Sequence, residues 1–210
     1  MTYAVKEMFR TLQGEGRHAG RPAVFCRFAG CNLWSGRDQD RAGAQCTFCD
    51  TDFVGVDGEG GGRFADAGEL AHAIEKVWGS NLKYRFVVLT GGEPLLQVDE
   101  PLIAQLHDLG FEIALETNGS IEAPPGIDWI TVSPKGIVPL SQIRGNELKL
   151  VFPQSHVEPT SFEGLSFDHF LLQPLDDKNR EANTAAAISY CLQNPRWNLS
   201  LQTHKVTGIP

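Results

Sequence analysis

The chain has 210 residues, which suits a single domain over residues 1–210 with a substantial hydrophobic core. It carries 18 lysines and arginines against 26 aspartates and glutamates, and the net charge of −8 argues against a basic surface for nucleic acid or an anionic membrane. No signal peptide or apolar membrane span is visible, and the five cysteines are an odd number that cannot all pair. We therefore expect a cytoplasmic protein whose cysteines stay reduced.

The first half of the chain predicts strands that alternate with helices. Asp66 is positioned to cap one helix, and Glu69, three residues later, completes a capping-box pattern. Residues 31–62 follow no regular period, and the glycines at 58–62 lack the flanking residues of a nucleotide-binding loop. Strands are predicted over 3–9, 21–30 and 84–90, and helices over 66–79 and 100–110.

The second half contains more strands than helices. Strands are predicted over 111–119, 128–136, 147–153, 168–176 and 197–205, and one helix over 180–195. Alternating strands and helices predict an α/β fold with a mostly parallel sheet. Because several strands have no helix after them, an incomplete, open (β/α) barrel with reduced helix content fits better than a closed eight-fold barrel.

Most of the predicted parallel strands end in polar side chains. In parallel α/β folds the active site lies at the carboxyl ends of the strands, so these side chains predict a functional rim. The residues at these ends are Thr90, Glu93, Glu116, Asn118, Ser133, Lys135, Gln173, Asp176, Gln202 and His204.

Three cysteines, Cys31, Cys46 and Cys49, fall in the irregular segment, with fourteen residues between the first two. Thiolates favour zinc or iron–sulfur centres. Cys26 would complete a four-cysteine zinc site, but its position within a strand favours core packing, as the helical position of Cys191 does. Three cysteines on a four-iron cluster would leave one iron open to a small molecule.

With these residues and the "GGEP" motif at 91–94, the chain resembles the radical S-adenosylmethionine (SAM) enzymes. The usual C-x3-C-x2-C loop of those enzymes is longer here. Within the radical SAM enzymes, further stretches resemble one family, the 7-carboxy-7-deazaguanine synthases: "TLQGEG", "CTFCDTDF", "LTGGEPLLQ", "LETNG", "SPK", "LQPLD" and "QTHKVTGIP". One branch of that family has the long gap between the first two cysteines.

This resemblance implies an open barrel of the radical SAM type and a lyase reaction. Members of that family use a 4Fe-4S cluster, SAM and Mg²⁺ to convert 6-carboxy-5,6,7,8-tetrahydropterin to 7-carboxy-7-deazaguanine with loss of ammonia, on the pathway to queuosine. A cofactor radical starts the reaction, so no catalytic side chain beyond it is predicted. The resemblance also implies a homodimer and a reducing partner such as a flavodoxin.

The resemblance assigns site residues by their place in the motifs. Predicted ligands of the cluster are Cys31, Cys46 and Cys49, and Thr51 is the predicted Mg²⁺ ligand. Predicted SAM-binding residues are Phe48, Gly92, Glu93, Asn118, Ser133, Lys135, Gln173 and Asp176. Predicted substrate-binding residues are Leu12, Gln13, Gly14, Glu15, Arg27, Thr90, Glu116, His204 and Pro210.

Two alternatives stay open from the sequence. Another radical SAM enzyme, such as a glycyl-radical activase, would share the cluster and the "GGE" motif. A non-enzymatic zinc module would use Cys26 together with Cys31, Cys46 and Cys49. For Arg27, a structural salt bridge is the alternative to a bound substrate carboxylate.

Overall fold

The structure, a computed structural model, describes residues 2–210 and contains one open nine-stranded sheet. The spatial order is β3-β1-β2-β4-β5-β6-β7-β8-β9. Strand β2 and strands β4 to β9 are parallel, whereas β1 runs antiparallel to both of its neighbours. The strands are β1 Tyr3–Leu12, β2 Pro22–Phe28, β3 Gly62–Phe64, β4 Phe86–Gly91, β5 Glu112–Thr117, β6 Trp129–Val132, β7 Arg144–Phe152, β8 Ser166–Pro174 and β9 Trp197–Leu199.

Few helices accompany this sheet, as the sequence predicts. Between β5 and β8 the described chain has no α-helix, only a short 3₁₀ turn at Pro159–Phe162. The α-helices are α1 Ala67–Trp78, α2 Glu100–Asp108, α3 Arg180–Gln193 and α4 Thr203–Thr207. The predicted open α/β barrel with reduced helix content is confirmed.

Two details of the sequence prediction were wrong. The last strand was predicted to reach residue 205, but β9 ends at Leu199 and His204 lies in α4. Strand β3 was missed, because its three residues follow a glycine-rich loop and pair only with the edge of β1. Short edge strands carry too little periodicity to be recognised from sequence.

Alternation along the strands separates an apolar face from a polar face. In β2, Cys26 belongs to the hydrophobic core, whereas the adjacent Arg27 lines a cavity on the other face. In β7, Leu148 and Leu150 pack in the core while Lys149 between them lines the cavity. The side-chain period of two thus places the functional groups on one concave face.

The apolar face forms two separate core clusters. One joins α1 and α2 to β1, β2, β4 and β5, and includes Leu70, Ile74 and Leu102. The other joins α3 to β6, β7, β8 and β9 around Trp197, with Cys191 partly buried against it. No helix among the described residues has the length and apolar character needed to cross a membrane.

Asp66 caps α1 as predicted, since its carboxylate accepts a hydrogen bond from the Glu69 amide at 2.9 Å. The Glu69 carboxylate accepts from the Ala65 amide, one residue before the cap. We expect Asp66→Ala to lower the free energy of unfolding by about 1 kcal/mol, because an amide of the first turn loses its partner. Chemical denaturation measures this, and Asp108→Ala in α2 is a charge-matched control without such a cap. Equal stability of Asp66→Ala and wild type would contradict the prediction.

Candidate active site

A cavity of about 370 Å³ opens at the carboxyl ends of the parallel strands. It is where the sequence predicts the functional rim, and its size falls in the range of small-molecule sites. The predicted residues on its wall are Leu12, Gln13, Gly14, Glu15, Arg27, Phe48, Cys49, Thr51, Thr90, Gly92, Glu116, Asn118, Ser133, Lys135, Gln173, Asp176, His204 and Pro210. Three predicted site residues, Cys31, Cys46 and Glu93, are not among the lining residues.

The three cysteines of the irregular loop lie together beside the cavity. The Cys46 thiol donates a hydrogen bond to the Cys49 sulfur, which lowers the pKa of Cys49 to about 6 although burial opposes ionisation. Burial raises the pKa of Cys31, whose sulfur accepts a hydrogen bond from the Leu33 amide at 3.4 Å. Cys26 is fully buried in the core, so it does not join this group.

The fourteen residues between Cys31 and Cys46 fold into a compact loop. Its two ends are joined by a hydrogen bond from the Gln45 amide to the Leu33 carbonyl at 3.1 Å. Arg41 lies 4.0 Å above the ring of Trp34 and donates to the carbonyls of Thr47 and Cys49, both at 3.1 Å. One side chain of the loop therefore holds the backbone that carries two of the thiols.

We expect Arg41→Ala to loosen the cysteine loop without removing a thiol. Two carbonyls lose their charged donor, so iron should be lost to a chelator at least severalfold faster than from wild type. The decay of the cluster absorbance after anaerobic reconstitution measures the rate. Arg37→Ala removes the same charge from an exposed side chain of this loop and should leave the rate unchanged; equal rates for both variants would refute the role of Arg41.

The end of β4 approaches the cysteine loop through two glycines. A Cβ on Gly92 would lie 2.8 Å from Cys31 Cβ and closer still to the Gly30 carbonyl oxygen, so only glycine fits there. Gly91 has a φ of 140° and packs on the backbone of Phe28. Backbone groups can therefore reach the cavity beside the thiols.

Glu93 is fully buried, and its carboxylate is occupied by neighbours within the chain. It accepts hydrogen bonds from Thr117 Oγ1 at 2.8 Å and from the amides of Leu95 at 3.0 Å and Asn118 at 2.8 Å. Burial raises its pKa. The geometry suits a carboxylate that joins the ends of β4 and β5, with Gly92 as the part of the motif that meets the cavity.

Charged groups surround the cavity near the cysteines. Lys135 Nζ donates to Ser133 Oγ at 2.8 Å and lies 5.5 Å from the centre of the Phe48 ring. Lys205 of α4 pairs with Asp50 and Asp176, both at 2.6 Å, and so ties the C-terminal helix to the cysteine loop.

Thr51 follows Asp50 on the cavity wall. The carboxylates on either side of it are paired with lysines, Asp50 with Lys205 and Asp52 with Lys6. Thr51 is thus a hydroxyl-bearing residue of the wall, whereas its acidic neighbours are paired with lysines.

Arg27 pairs with Glu7 through Nε at 2.7 Å, and both residues line the cavity. Within residues 2–210 its two terminal guanidinium nitrogens have no hydrogen-bond partner, so the salt bridge leaves both as potential donors to a ligand. The stacked rings of Phe9 and Phe25, with centroids 5.8 Å apart, form an apolar wall beside it.

Another part of the cavity wall carries a hydrogen-bonded group of polar side chains. Gln13 donates to Glu116 Oε1 at 3.0 Å, and Gln202 donates to Glu15 Oε1 at 3.0 Å. Lys149 contacts both carboxylates, reaching Glu116 Oε1 at 3.6 Å. Glu15 and Glu116 therefore present acceptor oxygens to the cavity in fixed directions.

The C-terminal segment covers one side of the cavity. Thr203 donates from both its amide and its hydroxyl to the Gly14 carbonyl, each at 2.9 Å. His204 packs directly against Gly14, leaving no room for a side chain there. Thr11 donates to a Pro210 oxygen at 3.1 Å, which holds the last residue at the cavity wall.

Sequence reasoning missed several residues of the wall. Among them are Glu7, Phe9, Phe25, Asp50, Lys149 and Lys205. For Lys149 the signal was present, because a lysine between leucines in a buried strand must point to a polar partner. The pairing of β1 with β2, which brings Glu7 opposite Arg27, has no local signal.

The available ligand groups, three thiols and one hydroxyl, suit an iron–sulfur cluster and a magnesium ion. Within residues 2–210 no set of three or more His, Cys, Asp or Glu side chains converges on a single-ion site. Cys31 lies beside Gly92, and three cysteines suit a multi-iron cluster with one external ligand. Thr51 supplies one hard oxygen, so a magnesium ion there would take its other ligands from substrate and water.

Comparisons with known proteins decide the family. The chain is 63% identical over 210 residues to the 7-carboxy-7-deazaguanine synthase of Bordetella pertussis and 61% identical over 210 residues to that of Caulobacter vibrioides, in each case covering 100% of both chains. The chain belongs to the 7-carboxy-7-deazaguanine synthase family. A comparison with protein-family models finds no match.

A solved structure supports the same assignment. The crystal structure of QueE from Escherichia coli matches with a TM-score of 0.73 and 30% identity over 97% of this chain and 95% of that chain. The predicted family and radical SAM fold are thus confirmed, and the family's 4Fe-4S cluster, SAM and Mg²⁺ are the cofactors of this chain.

Proposed function

We propose that this protein converts 6-carboxy-5,6,7,8-tetrahydropterin to 7-carboxy-7-deazaguanine with release of ammonia, in queuosine precursor biosynthesis. The observation that carries the proposal is the position of the three thiols. Cys49 lines a cavity whose wall also presents carboxylates and amides, and Cys31 and Cys46 lie close to Cys49. Residues 1–210 act as a single domain in this proposal, which the continuous sheet supports.

The two ends of the cavity would hold different partners. Cys31, Cys46 and Cys49 would bind the cluster, which together with SAM supplies the one-electron chemistry that removes hydrogen from an unactivated carbon. Predicted contacts to SAM on the chain are Phe48, Gly92, Asn118, Ser133, Lys135, Gln173 and Asp176. We assign Glu93 to positioning the end of β4, because it is fully buried, does not line the cavity and holds three donors of the chain.

The substrate end matches the chemistry of a pterin carboxylate. The free terminal nitrogens of Arg27 suit the carboxylate, since a guanidinium binds that group with two parallel hydrogen bonds. Thr51 would carry Mg²⁺ near the same group. Glu15, Glu116 and Gln13 suit the amine edge, which needs acceptors. Thr90, Leu12, Gly14, His204 and Pro210 complete the wall.

The remaining proposals concern partners and location. We propose a homodimer reduced by a one-electron donor such as a flavodoxin, in the cytoplasm, where free thiols persist. The four-cysteine zinc alternative is disfavoured because Cys26 is packed in the core, where burial raises the pKa of its thiol.

Anaerobic turnover tests the function. Reconstituted protein with SAM, dithionite and 6-carboxytetrahydropterin should yield a 7-deazapurine chromophore and one equivalent of ammonia. Cleavage of SAM without any deazapurine would refute the proposed substrate and favour another radical SAM reaction, such as glycyl-radical activation. Colourless protein that retains zinc would refute the enzyme as a whole.

A further inference from the structure

Lys149 is a buried amine with no assigned role. It lies on the concave face of β7, where only 4% of its surface is exposed, and its neighbours Leu148 and Leu150 point to the core on the other face. Burying an ammonium group is costly unless carboxylates compensate for the lost water. Its position therefore calls for partners of defined geometry.

Those partners are two carboxylates from separate parts of the fold. Lys149 Nζ contacts Glu15 Oε2, on the loop after β1, and Glu116 Oε1, on β5, at 3.6 Å. The second oxygen of Glu15 accepts from Gln202, and Glu116 Oε1 also accepts from Gln13. One ammonium thus joins three distant segments of chain at the floor of the cavity.

The positive charge of Lys149 compensates the negative charges of Glu15 and Glu116. Two carboxylates close together in a low-dielectric site would repel one another, and one would take up a proton. Burial alone would raise the pKa of Glu15, but Lys149 holds it below its ordinary value. A protonated carboxyl group offers fewer acceptor positions, and the amine edge of a pterin needs acceptors.

We propose that Lys149 is a positioning residue that keeps Glu15 and Glu116 aligned as paired acceptors for the N–H groups of the substrate. The inference rests on the proposed function and adds a residue that acts through others instead of touching the pterin. Lys149 sets affinity for the pterin, whereas the thiol end of the cavity sets affinity for SAM.

Glu147 provides a matched control on the same strand. It lies two residues before Lys149 on the same face and is 2% exposed. Its Oε1 accepts from Trp129 Nε1 at 2.7 Å and from the Arg17 amide at 3.2 Å, and within the described chain its Oε2 has no hydrogen-bond partner. Glu147 also acts on Lys149 through its charge, but within the described chain no hydrogen bond or ion pair joins the two side chains. Glu147→Gln therefore removes a neighbouring buried charge, keeps an acceptor oxygen for Trp129 and Arg17, and removes neither direct contact of Lys149.

The test measures binding of 6-carboxypterin, an oxidised pterin that keeps the amine edge and the carboxylate, to the anaerobic holoenzyme. Calorimetry should show that Lys149→Met binds 6-carboxypterin at least tenfold more weakly than wild type, with unchanged cluster absorbance and SAM affinity. The affinity of Glu147→Gln for 6-carboxypterin should lie within twofold of the wild-type value. In turnover, Lys149→Met should raise KM for the pterin more than it lowers kcat. Lys149→Gln replaces it if Lys149→Met is too unstable to purify.

A double-mutant cycle with Glu15→Gln separates positioning from general destabilisation. If Lys149 acts through Glu15, removing the lysine should have a clearly smaller effect on pterin affinity when Glu15 is already neutral. Unchanged pterin binding by Lys149→Met, an equal loss of SAM affinity, or full additivity in the cycle would overturn the inference. If wild-type protein binds no 6-carboxypterin, the proposed function fails with it; if only the variant comparison fails, the function stands.

Discussion

Cys46→Ala is expected to abolish the iron–sulfur cluster and all SAM cleavage. A four-iron cluster with one open iron depends on three thiolates, and no other cysteine can substitute, because Cys26 is packed in one core cluster and Cys191 packs against the other. Iron and acid-labile sulfide should fall from about four atoms each per chain to near zero after anaerobic reconstitution. The same loss is expected for Cys31→Ala and Cys49→Ala.

Cys26→Ala and Cys191→Ala are the matched controls, since each removes a thiol that packs against a core cluster. Both should keep full iron and sulfide content, with a cost of about 1 kcal/mol in the free energy of unfolding. Loss of all metal from Cys26→Ala would instead support the four-cysteine zinc site. A cluster retained by Cys46→Ala would contradict the assignment of the ligands.

Gly92→Ala is expected to lower kcat/KM by about 100-fold, because a misplacement of roughly 1 Å at a reacting centre has an effect of that order. The added methyl group would collide with the Gly30 carbonyl oxygen and with Cys31 Cβ at 2.8 Å. The end of β4 would have to move away from the cysteine loop. SAM affinity, measured by calorimetry on the reconstituted protein, should fall with it.

Gly164→Ala is the control for a glycine replacement as such. A Cβ at Gly164 would meet nothing within 4 Å, so activity should equal that of wild type. Wild-type SAM affinity in Gly92→Ala would show that close approach of the two backbones is dispensable.

The sequence predicted the structure correctly where the hydrophobic periodicity of a segment agreed with its capping or motif residues. Helix α1 has a cap and an apolar face, and it begins after Asp66 as predicted. Alternation in β2 separated Cys26 from Arg27 correctly, because side chains on a strand point to opposite faces. Recognisable motifs at strand ends then located most of the cavity wall.

The sequence failed where the outcome depends on distant partners. His204 was assigned to a strand, yet the Gly14 carbonyl accepts from Thr203 and the chain turns into α4. The ion pairs of Lys205 with Asp50 and of Lys149 with Glu15 join residues more than a hundred positions apart. Such contacts leave no local pattern, so their residues were missed or seen only in part.

Glu93 illustrates that one motif position can serve two purposes. The motif predicts a carboxylate that meets the cofactor, whereas the structure surrounds that carboxylate with three donors from the chain itself. A motif records which residue type a fold needs at a position, and the reason can be either contact with a ligand or support of the backbone. The choice between them requires coordinates.

The hydrogen bond between Gln45 and Leu33 closes the loop between Cys31 and Cys46. The two cysteines can therefore lie near each other although fourteen residues separate them in the sequence. Residues 35–44 form a loop whose two ends lie close together. Pattern searches with a fixed cysteine spacing would overlook chains of this kind. For protein engineers, the tip of the loop formed by residues 35–44 is a natural place to insert a label or a tether next to a redox centre.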